Sequence, residues 1–183
     1  AVIRTEFPPV RGGELTHPAL LRYLQERGIN TDLARLECKE LHFIHNGKPY
    51  FAIGFPNVAG GFEVRNRFFK GSLSPKDISL IDNGSDTCNL FEGFIDYLSW
   101  MVLGLGCGDD YLVLNSVALL ERSFTVLDRY EKINCYLDRD EAGRRTLEVL
   151  RKRYGNRIED CSALYKGFKD LNEYLQNRDG AVG

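Results

Sequence analysis

Residues 133–145 read I-N-C-Y-L-D-R-D-E-A-G-R-R, a short apolar run that ends abruptly in Asp138 and Asp140. A helix-forming segment follows at once, with Gly143, Arg144 and Arg145 in its first turns. A strand that delivers D-x-D at its carboxyl end places two carboxylates at the mouth of a parallel sheet, where open α/β folds hold their ligands. Carboxylates this close repel one another unless a cation lies near, and hard oxygen donors suit Mg²⁺ or Mn²⁺. The stretch alone equally allows Asp140 to cap the helix and Asp138 to be a polar strand end.

The surroundings of this stretch set the fold class. Beyond residue 86, short apolar runs at 88–91, 111–114, 133–137 and 158–161 alternate with amphipathic segments at 94–103, 119–130, 141–154 and 171–177. That alternation specifies an α/β domain with a four-stranded parallel sheet covered by helices on both faces. Before it the pattern differs. His17-Pro18 opens a helix that Gly28 closes, and Asn30 or Thr31 caps a second, short helix. From Glu40 the period becomes two: residues 41–45, 49–55 and 62–68 read as a three-stranded antiparallel sheet with turns at Asn46-Gly47 and Gly60-Gly61. On the third strand Phe62, Val64 and Phe68 are expected inward and Arg65 and Arg67 outward. Residues 71–87, rich in Ser, Gly and Asp, read as a connector. The expected division is an α+β subdomain over 1–85, an α/β domain over 86–178 and a tail over 179–183.

Several acids fall where strands end. Glu92-Gly93 closes the first α/β strand, and a buried strand rarely ends in such a pair unless the acid is aimed at the ligand crevice. Asp96 follows one helical turn later. Asp170 precedes the last helix, where N-capping explains it equally well. Acids from separate strand ends mark a site more strongly than any local motif, provided they converge. Arg65, Arg67, Lys70 and Lys76 form a candidate phosphate-tracking face in the front half, with Arg144 a further candidate; for each the alternative is a solvated surface charge. Phe68-Phe69 beside Arg67 and Lys70 offers an aromatic on which a base could stack.

Composition excludes more than it suggests. Five cysteines without a C-x-x-C pair give neither a disulfide framework nor a zinc site, and fit a reduced, cytoplasmic setting. No apolar run has the length of a bilayer span. Residues 1–81 carry about eleven Lys/Arg against eight Asp/Glu, and residues 82–183 about thirteen against eighteen, so a mildly basic front precedes an acidic back. The glycines at 104, 106 and 108 follow a helix, so they are a helix stop, not a dinucleotide loop.

L-F-E-G-F-I-D-Y-L (residues 90–98) followed by C-Y-L-D-R-D-E-A-G-R-R (residues 135–145) resembles the Toprim domain shared by bacterial primases, type IA and II topoisomerases and certain nucleases. The A-G-R that follows D-x-D resembles the version in bacterial DnaG-type DNA primases. G-F-K-D-L-N-E-Y-L (residues 167–175) resembles their later acidic motif, with Asn172 where an acid is common. In the front half, Y-L-Q-E-R-G-I (residues 23–29) and residues 51–67 are similar to the opening helix and strand pair of the primase catalytic core.

The resemblance implies a Toprim-type fold and a metal-dependent nucleotidyl transfer that makes RNA primers on single-stranded DNA from NTPs. Glu92, Asp138 and Asp140 would be catalytic and metal-binding, with Asp96 and Asp170 as further contributors to Mg²⁺ or Mn²⁺. Arg65, Arg67, Lys70, Lys76 and Arg144 would meet template or nucleotide phosphates. Primases usually carry an upstream zinc-binding module and a downstream helicase-interaction domain. Neither has a counterpart here, so the resemblance implies a core fragment, or a small primase-like protein of a plasmid or mobile element, with any replicative-helicase contact made through a missing domain. A Toprim nuclease using the same acids, and a non-catalytic nucleic-acid-binding module, are the alternatives.

Overall fold

The computed structural model describes residues 2–3, 11–106 and 108–178; Cys107, the tail at 179–183 and most of the first ten residues lie outside the described residues. The chain divides into two units after Asp77.

In the first unit, β1 (Val2–Ile3) and β2 (Arg11–Gly13) precede α1 (Pro18–Glu26). Pro18 sits in the first turn of α1, where no backbone N–H is needed, and His17 Nδ1 accepts a hydrogen bond from the Ala19 N–H at 3.1 Å. Helix α2 (Thr31–Glu37) is capped by Asn30, whose Oδ1 accepts from the N–H groups of Asp32 and Leu33. Strands β3 (Lys39–His45) and β4 (Lys48–Pro56) form a hairpin whose turn residues, Asn46 and Gly47, both take positive φ. Next come β5 (Phe62–Arg65) and β6 (Lys70–Leu73). The sheet order is β1-β6-β5-β4-β3-β2, antiparallel except for the β1–β6 pair.

The expected three-stranded sheet is therefore six-stranded. The added strands are only two to four residues long, too short to show a period of two. A second correction concerns β5, which stops at Arg65. The Asn66 side chain accepts from the Phe68 and Phe69 N–H groups, and the Asn66 N–H donates to the Phe69 carbonyl. The chain turns there, so Arg67 does not share a strand face with Arg65, and Phe68 is 88% exposed instead of inward. Phe69 packs with Phe43 and Tyr50 against a core of Leu41, Ala52, Val64 and Leu73.

The second unit begins at Ile78. Its elements are β7 (Ser79–Ile81), β8 (Thr87–Phe91), α3 (Phe94–Leu103), β9 (Asp110–Val113), α4 (Leu120–Leu127), β10 (Lys132–Tyr136), α5 (Glu141–Tyr154), β11 (Ile158–Asp160) and α6 (Leu171–Asn177). The sheet order is β11-β10-β8-β9-β7. The four expected parallel strands are all present, and β7, from within the expected connector, adds an antiparallel edge beside β9. The unit boundary thus falls inside the expected connector, after Asp77 and ahead of the expected division at residue 85, because β7 pairs with the second sheet.

Cys88, Leu90, Leu112, Ile133 and Cys135 bury one sheet face against Leu127 of α4 and Leu150 and Tyr154 of α5. On the other face Tyr97 and Trp100 of α3 meet the rings of Phe91, Tyr111 and Tyr136. From β8 the chain steps to β9 on one side and then crosses to β10 on the other. Such a reversal opens a crevice outside the carboxyl ends of β8 and β10. Among the described residues no helix is long and apolar enough to cross a membrane.

One turn in the first unit yields a direct test. Buried Asn57 donates through Nδ2 to the Pro75 carbonyl at 2.8 Å, and its Oδ1 accepts from the Ala59 and Gly61 N–H groups. Asn57→Ala removes all three bonds and is expected to cost about 2 kcal/mol, read as a lower urea midpoint with unchanged m value.

Candidate metal centre

Strand β8 ends at Phe91, and Glu92 is the first residue to emerge from the sheet. Gly93 then serves as N-cap of α3, in extended conformation, with no atom other than those of its chain neighbours within 4 Å of where a Cβ would stand. Strand β10, parallel to β8 with Tyr136 opposite Phe91, brings Asp138 out at the same level. The Asp138 N–H donates to Glu92 Oε2 at 3.1 Å. Asp140 caps α5, its Oδ1 accepting from the Gly143 N–H at 2.8 Å.

Two further acids arrive from helix starts. Asp96, in the first turn of α3, is 7% exposed and accepts from the Asn172 N–H at 3.0 Å. Asp170 caps α6, accepting from the Glu173 N–H at 2.8 Å. Asp96, Asp138 and Asp170 each contribute one carboxylate oxygen to a group whose members all lie within 4.8 Å of one another. Glu92 adjoins the group through Asp138. Asp140 lies outside it, its side chain engaged at the helix start.

Asn172 holds this arrangement together. It is 2% exposed, its Nδ2 donates to Ser99 Oγ at 3.0 Å, and its backbone N–H is the one bound by Asp96. The amide therefore ties α6 to α3 in place of the acid that the motif commonly carries here. Gly143 is a steric requirement: a Cβ there would lie 1.9 Å from the Asp138 carbonyl oxygen. The start of α5 approaches β10 that closely only without a side chain. The A-G-R pattern contains this signal, but spacing alone does not reveal what the glycine touches. Lys169, unremarked in the sequence, is the cation whose field counteracts the rise in the Asp138 pKa.

The electrostatics follow from burial and like charge. Burial, then the charge of Asp138, pushes the Glu92 carboxyl up to about 8. Burial, then the charges of Asp170 and Asp138, raises Asp96 well above the ordinary carboxylate range. Burial also raises Asp138, against the opposing hydrogen bond from Glu92. Oxygens that share one Mg²⁺ at about 2.1 Å lie roughly 3–4 Å apart. The cluster needs only a small contraction to reach that spacing, and a divalent cation would replace the protons it now favours. The residues present fit a hard cation.

The basic candidates are dispersed. Arg65 Nε donates to the Tyr23 hydroxyl at 3.0 Å, and Arg67 pairs with Glu26. Lys70 is exposed at the start of β6, opposite Arg65 in register. Lys76 donates to Ser72 Oγ at 3.1 Å and lies 3.8 Å from Glu63 Oε1. Arg144 is exposed on the first turn of α5, and Arg145 pairs with Glu141 one turn away.

Two outcomes follow. Gly143→Ala must displace α5 from the Asp138 carbonyl, and is expected to destabilise the protein by about 2–4 kcal/mol, measured by chemical denaturation. The second concerns pH. A folded-state carboxyl pKa above the unfolded value of 4.5 contributes stability that is fully present below 4.5 and lost as pH rises through about 8. In chelator, Glu92→Gln should therefore melt like the parent at pH 4.5 and roughly 5 °C above it at pH 9, by calorimetry.

Residues 89–175 match the family described as Toprim-like, and residues 10–74 match a domain of unknown function, DUF8464. No curated protein sequence matches the chain. Among solved structures, the chain is similar to the primase fragment of the bacteriophage T7 primase-helicase protein, with a TM-score of 0.64 and 19% identity over 96% of this chain and 80% of that one. A second similar structure shows the T7 lagging-strand DNA polymerase interacting with primase domains of two gp4 subunits bound to an RNA/DNA hybrid and dTTP. It gives a TM-score of 0.62 and 18% identity over 97% of this chain and 93% of that one. The mixed α/β architecture, the acid-bearing crevice and the family match agree: residues 89–175 are a Toprim-like domain, and the chain has the fold of a primase fragment.

Proposed function

We propose that the chain is a primase-type catalytic core, joining NTPs into RNA primers on single-stranded DNA with Mg²⁺ or Mn²⁺. The observation that carries the reading is the convergence of Asp96, Asp138 and Asp170 beside Glu92 at the carboxyl ends of β8 and β10. In this reading Asp138, Asp96 and Asp170 hold the divalent cation, and Asp140 both caps α5 and adds negative field. A bound cation supplies neutralisation of triphosphate charge and acidification of the attacking 3′-hydroxyl.

Glu92, with its carboxyl near 8, is poised to hold or pass a proton at Oε around neutral pH. Lys169, whose field acts on Asp138, and Arg144, exposed on the first turn of α5, would receive nucleotide phosphates. Arg65, Arg67, Lys70 and Lys76 of the first unit would meet template phosphates; the bonds of Arg65 to Tyr23 and Lys76 to Ser72 give these two a share in structure as well. The likeness to a primase fragment over nearly the whole chain favours nucleotidyl transfer over nuclease chemistry by the same acids. A replicative helicase would be a partner, in a cytoplasmic setting such as that of a plasmid or mobile element.

The test is incubation with single-stranded template, NTPs and either cation. The parent should make short RNA, and Asp138→Asn or Glu92→Gln should lower the rate at least about 100-fold. Cleavage of DNA without NTPs would favour the nuclease reading instead. A thermal shift supplies a second readout. Because a cation competes with protons on raised carboxyls, Mg²⁺ should raise the melting temperature more at pH 8 than at pH 6, and not at all in Asp138→Ala. A parent protein indifferent to Mg²⁺ and Mn²⁺ would sink both catalytic readings.

A further inference from the structure

A cavity of about 450 Å³ is lined wholly by residues of the first unit. Its walls are Leu20 and Arg22 of α1, Tyr50 and Phe51 of β4, and Arg67 and Phe69 of the turn that follows β5, with Phe68 at its edge. The volume falls within the range of small-molecule sites, roughly 300–1,000 Å³. Three aromatic rings line it and a fourth, Phe68, stands 88% exposed.

The exposure of Phe68 is imposed by the backbone. Asn66 Oδ1 holds the Phe68 N–H at 2.8 Å and the Phe69 N–H at 3.1 Å, so the turn directs consecutive rings apart. Phe69 goes to the core; Phe68 is left in water. Covering a large apolar ring held there would be favourable, because it removes apolar area from water.

Charge indicates what covers it. The lining contains two arginines and, among the described residues, no acid. Arg67 pairs with Glu26, but both side chains are about half exposed, and ion pairs of that kind are weak enough for a phosphate to displace. An apolar peptide would use the rings and leave the guanidiniums idle. A nucleotide uses both, with the base on the aromatic face and its phosphate on the guanidinium.

We propose that this cavity is a base-binding pocket for single-stranded nucleic acid, in which an unpaired base stacks on Phe68 while Arg67 and Arg22 meet the flanking phosphates. The proposal rests on the reading of the chain as a nucleic-acid-binding core, and assigns to the first unit a binding site independent of the acids and of any cation.

The test uses the full chain in chelator, without NTPs, and a single-stranded oligonucleotide carrying one 2-aminopurine, whose fluorescence is quenched on stacking. The parent should give saturable quenching. Phe68→Ala and Phe68→Leu should each weaken binding about tenfold, whereas Phe68→Trp, which keeps a π face, should retain it. Arg67→Gln should lower the slope of log affinity against log salt by roughly 0.7. Equal binding by parent and Phe68→Ala, or retention by Phe68→Leu, overturns the proposal. So does Phe68-dependent self-association in sedimentation without Phe68-dependent oligonucleotide binding. Failure here is distinguishable from failure of the catalytic reading. Asp138→Ala should abolish primer synthesis and leave quenching intact, and a parent that quenches without making primers would preserve this site while removing the catalytic one.

Discussion

Carboxylates that converge where water is scarce are the interaction on which the second unit turns. Glu92 and Asp138 emerge side by side because β8 and β10 are adjacent and parallel, and Asp96 and Asp170 reach the same place from the first turn and cap of α3 and α6. Left as anions they would repel strongly in a medium of reduced dielectric. Three features offset this: the raised proton affinity of Glu92, Asp96 and Asp138, the nearby Lys169, and the amino ends of α3, α5 and α6, whose partial positive charge favours the acids. A divalent cation would supersede all three.

The rest of the unit serves to hold that convergence in place. The aromatic packing of Tyr97 and Trp100 fixes α3 on one sheet face, and the aliphatic core beneath α4 and α5 fixes the other. Asn172 couples α6 to α3 through Ser99, so Asp96 and Asp170 cannot move independently. The Tyr165 hydroxyl, fully buried, donates to the Leu137 carbonyl at 2.7 Å and anchors the segment before α6 to the end of β10. Gly143 sets the distance of closest approach between α5 and β10. Each contact acts on orientation, which is what a cation site needs from its outer residues.

Local pattern carried much of this. The starts of α5 and α6 were readable because Asp140 and Asp170 are cap residues before amphipathic runs. The parallel strands were readable as short apolar runs between those helices. The strands missed were those with no pattern to read: β1, β2, β6 and β7 have two to four residues and draw their hydrogen bonds from neighbours distant in sequence. Phe68 failed for a related reason. Alternation placed it inward, but the strand ends at Arg65 and the side chain of Asn66 turns the chain before Phe68.

The amino-acid sequence by itself determined the α/β class of the second unit and which carboxylates stand at strand ends and helix starts, because those are properties of short-range periodicity and capping. Only the tertiary structure decided that Asp96, Asp138 and Asp170 share one small space while Asp140 turns to its helix. It alone placed Arg67 beside an aromatic cavity instead of on a sheet face with Arg65. Distances between side chains many residues apart are set by sheet order and by contacts such as Gly143 against Asp138. No local pattern encodes those.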